Sequence, residues 1–142
     1  MDIDLLMTDQ DFERASLILK QAGYEQVAQG RLFARFRSAD PTLMDLDTVF
    51  VDKKTMDGIL GEAKESEIEG RRFKIPSIDH LVALKLHSIK NNPRAREFRD
   101  LGDIVELIKQ HRIDVHSENF KQLCSKYGTA EIYQKILGSQ KQ

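Results

Sequence analysis

The sequence has no tryptophan, one cysteine and only three prolines in 142 residues. A lone cysteine, Cys124, excludes an intramolecular disulfide and a cysteine-rich zinc site, and suits a reducing cytosol. Charge of one sign is also missing. Lys plus Arg is 22 and Asp plus Glu is 23, a net −1, so the basic footprint of a dedicated nucleic-acid binder is absent. Apolar runs are broken by charges within a few residues, which excludes a membrane-spanning helix. The opening Met1-Asp2-Ile3-Asp4 is acidic, unlike a signal or transit peptide. There are no repeats and no low-complexity tracts. What is present is 40% hydrophobic and 32% charged, enough apolar material for one packed core. The expectation is a cytoplasmic protein of one domain over 1–142, with an α+β sheet part over 1–76 and a helical part over 77–142.

Local patterns fill in that outline. Ile3 to Met7 reads as a strand, and Thr8 with Asp11 three positions on opens a helix. Phe12, Ala15, Ile18, Leu19 and Ala22 form its apolar stripe, with Gly23 as the stop. A short strand over Glu25 to Gln29 and a turn at Gly30 follow. Arg31 to Arg37 then alternates Leu32, Ala34 and Phe36 with arginines, the pattern of a half-buried antiparallel strand. Leu43 to Val51 is strand-like but interrupted by Asp45 and Asp47. Thr55 is expected to cap a helix reaching Ala63, and Ile68 to Ile75 to form a hairpin turning near Gly70. After Pro76 the chain reads as helical. Ser77 caps a helix with Leu81, Leu84, Leu86 and Ile89 inside, stopped at Asn91-Asn92-Pro93. Arg96 to His111 follows, with Phe98, Leu101, Ile104, Val105 and Ile108 as its stripe. Ser117 and Thr129 cap two terminal helices.

The acids on the strands need a reason. Asp2 and Asp4 are two apart, and so are Asp45 and Asp47, which puts each pair on one face of its strand. Carboxylates are poor strand residues and are costly inside a sheet unless compensated. If Asp4 and Asp47 lie on neighbouring strands, three carboxylates converge, and a divalent cation removes their repulsion. Hard oxygen donors at that density suit magnesium shared with nucleotide phosphates. The plainer reading is that the acids face solvent and discourage edge pairing. Alone, D-x-D is a weak signal.

Two later stretches sharpen the reading. Ile75-Pro76-Ser77-Ile78-Asp79-His80-Leu81-Val82-Ala83-Leu84-Lys85-Leu86-His87 and Arg99-Asp100-Leu101-Gly102-Asp103-Ile104 resemble blocks of the nucleotidyltransferase superfamily, in its minimal and abortive-infection toxin-like branches. Asp2-Ile3-Asp4-Leu5-Leu6 is similar to its paired-aspartate strand, and Asp47-Thr48-Val49-Phe50-Val51 to the strand carrying its third carboxylate. Four blocks in the right order cover the chain from Asp2 to about Leu107.

The resemblance implies an α+β fold, a mixed sheet flanked by helices with a helical C-terminal part. It also implies transfer of a nucleotidyl group from an NTP to a hydroxyl of RNA, protein or a small molecule. Asp2, Asp4 and Asp47 would bind Mg2+, Lys85 and Arg99 would meet the phosphates, and Asp100 and Asp103 would support them. The family's Gly-Gly or Gly-Ser turn before the aspartate strand, a backbone cradle for triphosphate, has no counterpart in these residues. Either the reading frame starts upstream or the cradle has been shed. In the second case the fold would serve as a binding module for a partner chain, regulatory or toxin–antitoxin-like, or as a homodimer. A plain helical interaction domain would show no convergence of Asp4 and Asp47.

Other features read more simply. His80 and His87 are seven apart with no acid or histidine spaced to complete a metal pair, so they are surface or interhelix residues. Cys124 is expected to be buried and inert. The bland alternative for Lys85, Asp100 and Asp103 is an interhelical salt bridge. Lys85, Lys90, Arg94, Arg96 and Arg99 form a basic stripe that suits either a nucleotide or polynucleotide phosphate or a solvated face. Since Glu97 and Asp100 dilute the charge, the solvated face is the reading taken. Arg31, Arg35 and Arg37 lie on one side of a strand and suit either a bound phosphate or a ladder of ion pairs.

Overall fold

The computed structural model describes residues 2–141, and for Asp2 only the backbone. Six strands and six helices follow one another: β1 (Asp2–Met7), α1 (Asp9–Gln21), β2 (Tyr24–Gln29), β3 (Phe33–Ser38), β4 (Asp45–Phe50), α2 (Lys53–Glu62), β5 (Lys64–Ile68), β6 (Arg71–Ile75), α3 (Ile78–Asn91), α4 (Pro93–His111), α5 (Glu118–Tyr127) and α6 (Ala130–Ser139). The fold class is α+β, as the sequence led us to expect. By its internal packing the chain divides into two compact units, Met1–Gly61 and Glu62–Gln142.

In the first unit β1, β4, β3 and β2 make a mixed sheet in that order. β1 runs parallel to β4, and the other two pairings are antiparallel. The alternation along β3 and β4 decides which side is dry. Ala34, Phe36, Leu46 and Phe50 are buried together, with Leu5, Met7, Phe12, Leu19 and Tyr24 against them. Asp4, Asp45, Asp47, Arg35 and Arg37 fall on the opposite side, because successive strand residues alternate faces. Thr48 is fully buried on the apolar side and donates to the Ala34 carbonyl at 3.0 Å, so its hydroxyl is satisfied.

Helix α1 begins where the sequence placed it. The Thr8 hydroxyl accepts from the Asp11 amide and donates to the Asp11 carboxylate, and Gly23 ends the helix at φ 91°. Its inner stripe differs from the expected one. Ser16 is buried between Phe12 and Leu19, whereas Ile18 is 59% exposed. The sheet's packing selects the i, i+4, i+7 row through Phe12, and a small polar side chain fits close to a strand surface better than a branched one. The cap of α2 also differs. The Asp52 carboxylate accepts from the Thr55 amide at 2.7 Å, so Thr55 lies inside the helix rather than before it. Hydrogen bonding by the Thr55 hydroxyl, and then by its amide, holds the exposed Asp52 carboxyl below its ordinary pKa.

The second unit joins the β5–β6 hairpin to four helices. Glu69 and Gly70 both take positive φ at the hairpin tip, as a two-residue turn requires. Val82, Leu86, Ile89, Ile104, Ile108, Val115, Phe120, Cys124, Ile132 and Ile136 form the helical core. Ser77, Ser117 and Thr129 cap α3, α5 and α6 through their hydroxyls. Phe98, expected inside, is 96% exposed. Asp100 takes the buried side of α4 instead, because the cations of α3 and its own helix compensate it there. Among the described residues no helix is long and apolar enough to cross a membrane.

Candidate active site

In the first unit, the register of the sheet builds a row of charged groups across three strands. Asp4 on β1 is the partner of Asp47 on β4, and Asp47 is the partner of Arg35 on β3. Register partners on adjacent strands point the same way and stand about 4.8 Å apart. The two aspartates therefore share one face of the sheet, as the convergence argument required. Asp4 is exposed and is itself engaged. Asp47 is buried. Asp2 is the partner of Asp45 one row along, and its side chain lies outside the described residues.

Arg35 was read in the sequence only as part of a positive strand face. Its Nε donates to Asp47 Oδ1 at 2.7 Å and its Nη2 to Oδ2 at 3.0 Å, a two-pronged fork. Arg37 makes a longer, more exposed pair with Asp45 at 3.4 Å. Of the sequence's two readings of these arginines, the ion-pair ladder is the one observed, and Arg31 lies before the strand, outside it. A signal for the fork was there. Residues equidistant from Pro41 pair across the β3–β4 hairpin: Phe36 with Leu46, Arg35 with Asp47, Ala34 with Thr48.

The donor set can be weighed for a cation. Asp4 and Asp47 offer hard carboxylate oxygens in adjacent positions, the chemistry magnesium prefers. Among the described residues no group of three or more His, Cys, Asp or Glu side chains is placed to hold a metal ion. Two carboxylates fit an ion that keeps water and substrate phosphate in the rest of its shell, as magnesium commonly does. They do not make an all-protein cage.

The second unit carries the other sequence candidates. Lys85 on α3 bonds Asp103 Oδ2 at 2.8 Å and Asp100 Oδ1 at 3.3 Å, both on α4. The interhelical salt bridge is thus present. Burial by itself would lower the Lys85 pKa, but the Asp103 bond and the charge of Asp100 outweigh it and hold the ammonium above the usual lysine value. Asp100 is 1% exposed. Its Oδ2 has Arg96 Nε at 3.3 Å without the alignment of a hydrogen bond, so that attraction is coulombic. Arg96 Nε in turn donates to Ser88. Arg99 lies on the exposed side of α4 and is also engaged. A shallow groove of about 280 Å³ beside the ion pair is lined by Leu81, Lys85, Asp103, Glu106, Leu107 and Gln110.

The remaining candidates stay structural. His80 Nδ1 meets Ser77 Oγ at 3.1 Å and Glu62 at 3.5 Å, and His87 meets Asn91. Cys124 is buried, and burial pushes its thiol pKa up to about 11.

With the paired acids and the ordered blocks in place, comparison with known proteins is decisive at the level of family. The model of the family described as "Uncharacterised nucleotidyltransferase" matches residues 1–141. The chain belongs to that nucleotidyltransferase family. Two solved structures are similar to it. One is the antibiotic-resistance factor ANT(2'')-Ia, at 14% identity over 99% of this chain and 70% of that one, with a TM-score of 0.47. The other is an antigenic nucleotidyltransferase-like protein from Paracoccidioides brasiliensis, at 18% identity over 97% of this chain and 68% of that one, with a TM-score of 0.45. Likenesses this loose add nothing to the family assignment. No curated protein matches the sequence.

Proposed function

We propose that this nucleotidyltransferase-family protein moves a nucleotidyl group from an NTP to a hydroxyl acceptor in the cytoplasm, with Asp2, Asp4 and Asp47 as the acids that hold Mg2+. The observation that carries this reading is the cross-strand pairing of Asp4 with Asp47 on one sheet face. Magnesium bound there would neutralise the triphosphate and stabilise the leaving pyrophosphate. Asp4 contributes an exposed ligand oxygen. Asp47, more buried and gripped by Arg35, completes the set and helps orient the acceptor hydroxyl. Lys85 and Arg99 are assigned to the nucleotide phosphates by family resemblance, and the support of Lys85 by Asp100 and Asp103 is favoured by the bonds both make to it. RNA, protein and small molecules all present the required hydroxyl.

Titration calorimetry with an NTP and magnesium tests the proposal. Wild type should bind, and Asp4→Ala and Asp47→Ala should not. Binding that persists in both variants would sink the assignment of the acids.

A second reading has its own observation. Ile68, Phe73 and Ile75 of the β5–β6 hairpin are exposed, and an apolar hairpin face is a surface on which a partner chain can dock. Under this reading the fold is kept as a binding module, regulatory or toxin–antitoxin-like, and the protein is a dimer or heterocomplex with no NTP binding. Light scattering after gel filtration, beside the calorimetry, separates the two.

A further inference from the structure

We infer that Arg35 is a built-in counter-cation of Asp47 and that a divalent cation must compete with it for that carboxylate. The inference rests on the proposed metal role of Asp47. Both Asp47 oxygens accept from the guanidinium, at 2.7 and 3.0 Å, in the planar fork that arginine forms best with carboxylates. A fork of this kind covers the two inner lone pairs, the ones a metal ion would also take, and leaves the outer ones. Asp47 is buried, and its Arg35 partner is one-third exposed, so water screens the pair less than the neighbouring Arg37–Asp45 pair at 61% and 32% exposure. Arg35 thereby places a fixed positive charge one strand further along the same row, against the carboxylate that stands beside Asp4. Removing that charge leaves two neighbouring carboxylates, which attract a dication more strongly.

A positioning role and a competing role make opposite forecasts, which gives the inference its test. If Arg35 only oriented Asp47, its loss would weaken metal binding by about 10- to 100-fold, as loss of an outer-shell partner usually does. If Arg35 competes, Arg35→Gln tightens the binding of Mn2+ or Mg2+ to the nucleotide-free protein by about tenfold or more, the scale of one unit charge a few ångströms away. Arg35→Lys keeps the charge but not the fork, and should fall between Gln and wild type.

The experiment is calorimetry of the metal alone into the full chain and each variant, with Asp47→Asn as the reference that removes the ligand. Urea unfolding confirms that each variant is folded, and the Lys variant remains informative if the Gln variant is not. Weaker or unchanged metal binding in Arg35→Gln, with wild type binding normally, overturns the inference and leaves the proposed function standing. Absence of metal binding in wild type and in both arginine variants overturns the metal reading, and this inference with it. Binding that appears only when Arg35 is replaced supports the inference in its strongest form.

Discussion

Arg35 grips Asp47 through both carboxylate oxygens from the adjacent antiparallel strand, and Asp4 stands on the other side of Asp47 in the same row. A carboxylate between a cation and a second carboxylate is held by one neighbour and strained by the other. Which neighbour dominates is visible in stability.

Asp47→Ala deletes the fork and takes two acceptor oxygens from a half-buried guanidinium. The expected cost is about 2–3 kcal/mol, since breaking a desolvated pair leaves a charge behind. Asp45→Ala removes a longer pair in better contact with water, and should cost under about 1 kcal/mol. Urea unfolding midpoints of the two variants, compared with wild type, check the ranking.

The Lys85 network makes a graded expectation. Asp100 is buried and pairs with cations on two helices, while Asp103 is about half exposed. Asp100→Ala should therefore cost about 3 kcal/mol and Asp103→Ala about 1 kcal/mol. The pH dependence has a definite sign. Lys85 is raised above its unfolded value of 10.5, so its stabilisation is complete below that pH and lost as pH climbs through the folded value. From neutral pH upward, the stability gap between wild type and Lys85→Met, measured by chemical denaturation, should hold and begin to shrink on the alkaline side of pH 10.5.

Phe98 is 96% exposed, so Phe98→Ala should change stability by no more than about 0.5 kcal/mol. Leu86→Ala, at a fully buried position, should cost about 2–5 kcal/mol. Equal losses at the two sites would contradict the packing described for α3 and α4.

These positions show where the sequence could be read and where it could not. Caps were legible because they are local: Thr8, Ser77, Ser117 and Thr129 need only the next three residues to act. The aspartate pair was legible because two-residue spacing fixes a strand face whatever the neighbours. Phe98 was not, because its spacing fits the apolar stripe and only the packing of α3 and α6 reveals which side of α4 is covered. Asp100 failed for the complementary reason. Its burial depends on Lys85, fifteen positions away, and a charged residue reads as exposed until its partner is placed. The Arg35 fork depended on a register that only the hairpin's midpoint could supply.

Cys124 gives a chemical check on the helical core. Burial holds its thiol pKa at about 11 against an ordinary 9.0, so in the native protein it stays protonated and shielded. A thiol-specific reagent at pH 8 should label it only through global unfolding, with a rate that follows urea concentration. The group's contribution to stability is whole below pH 9.0 and fades as pH rises toward about 11, because the unfolded thiol ionises first.

The outermost position of β1 has a mechanical consequence. Within the four-stranded sheet this strand is tied by one ladder alone, to β4, and the ladder closes a loop that contains α1, β2 and β3. Peripheral strands detach at lower free energy than a domain melts. Peeling β1 away would separate Asp4 from Asp47 while β4 and β3 keep the Arg35 fork intact. The two carboxylates are thus joined across a peripheral seam of the sheet, and amide exchange along Ile3–Met7 would report on the integrity of the acidic site before any loss of global structure was detectable.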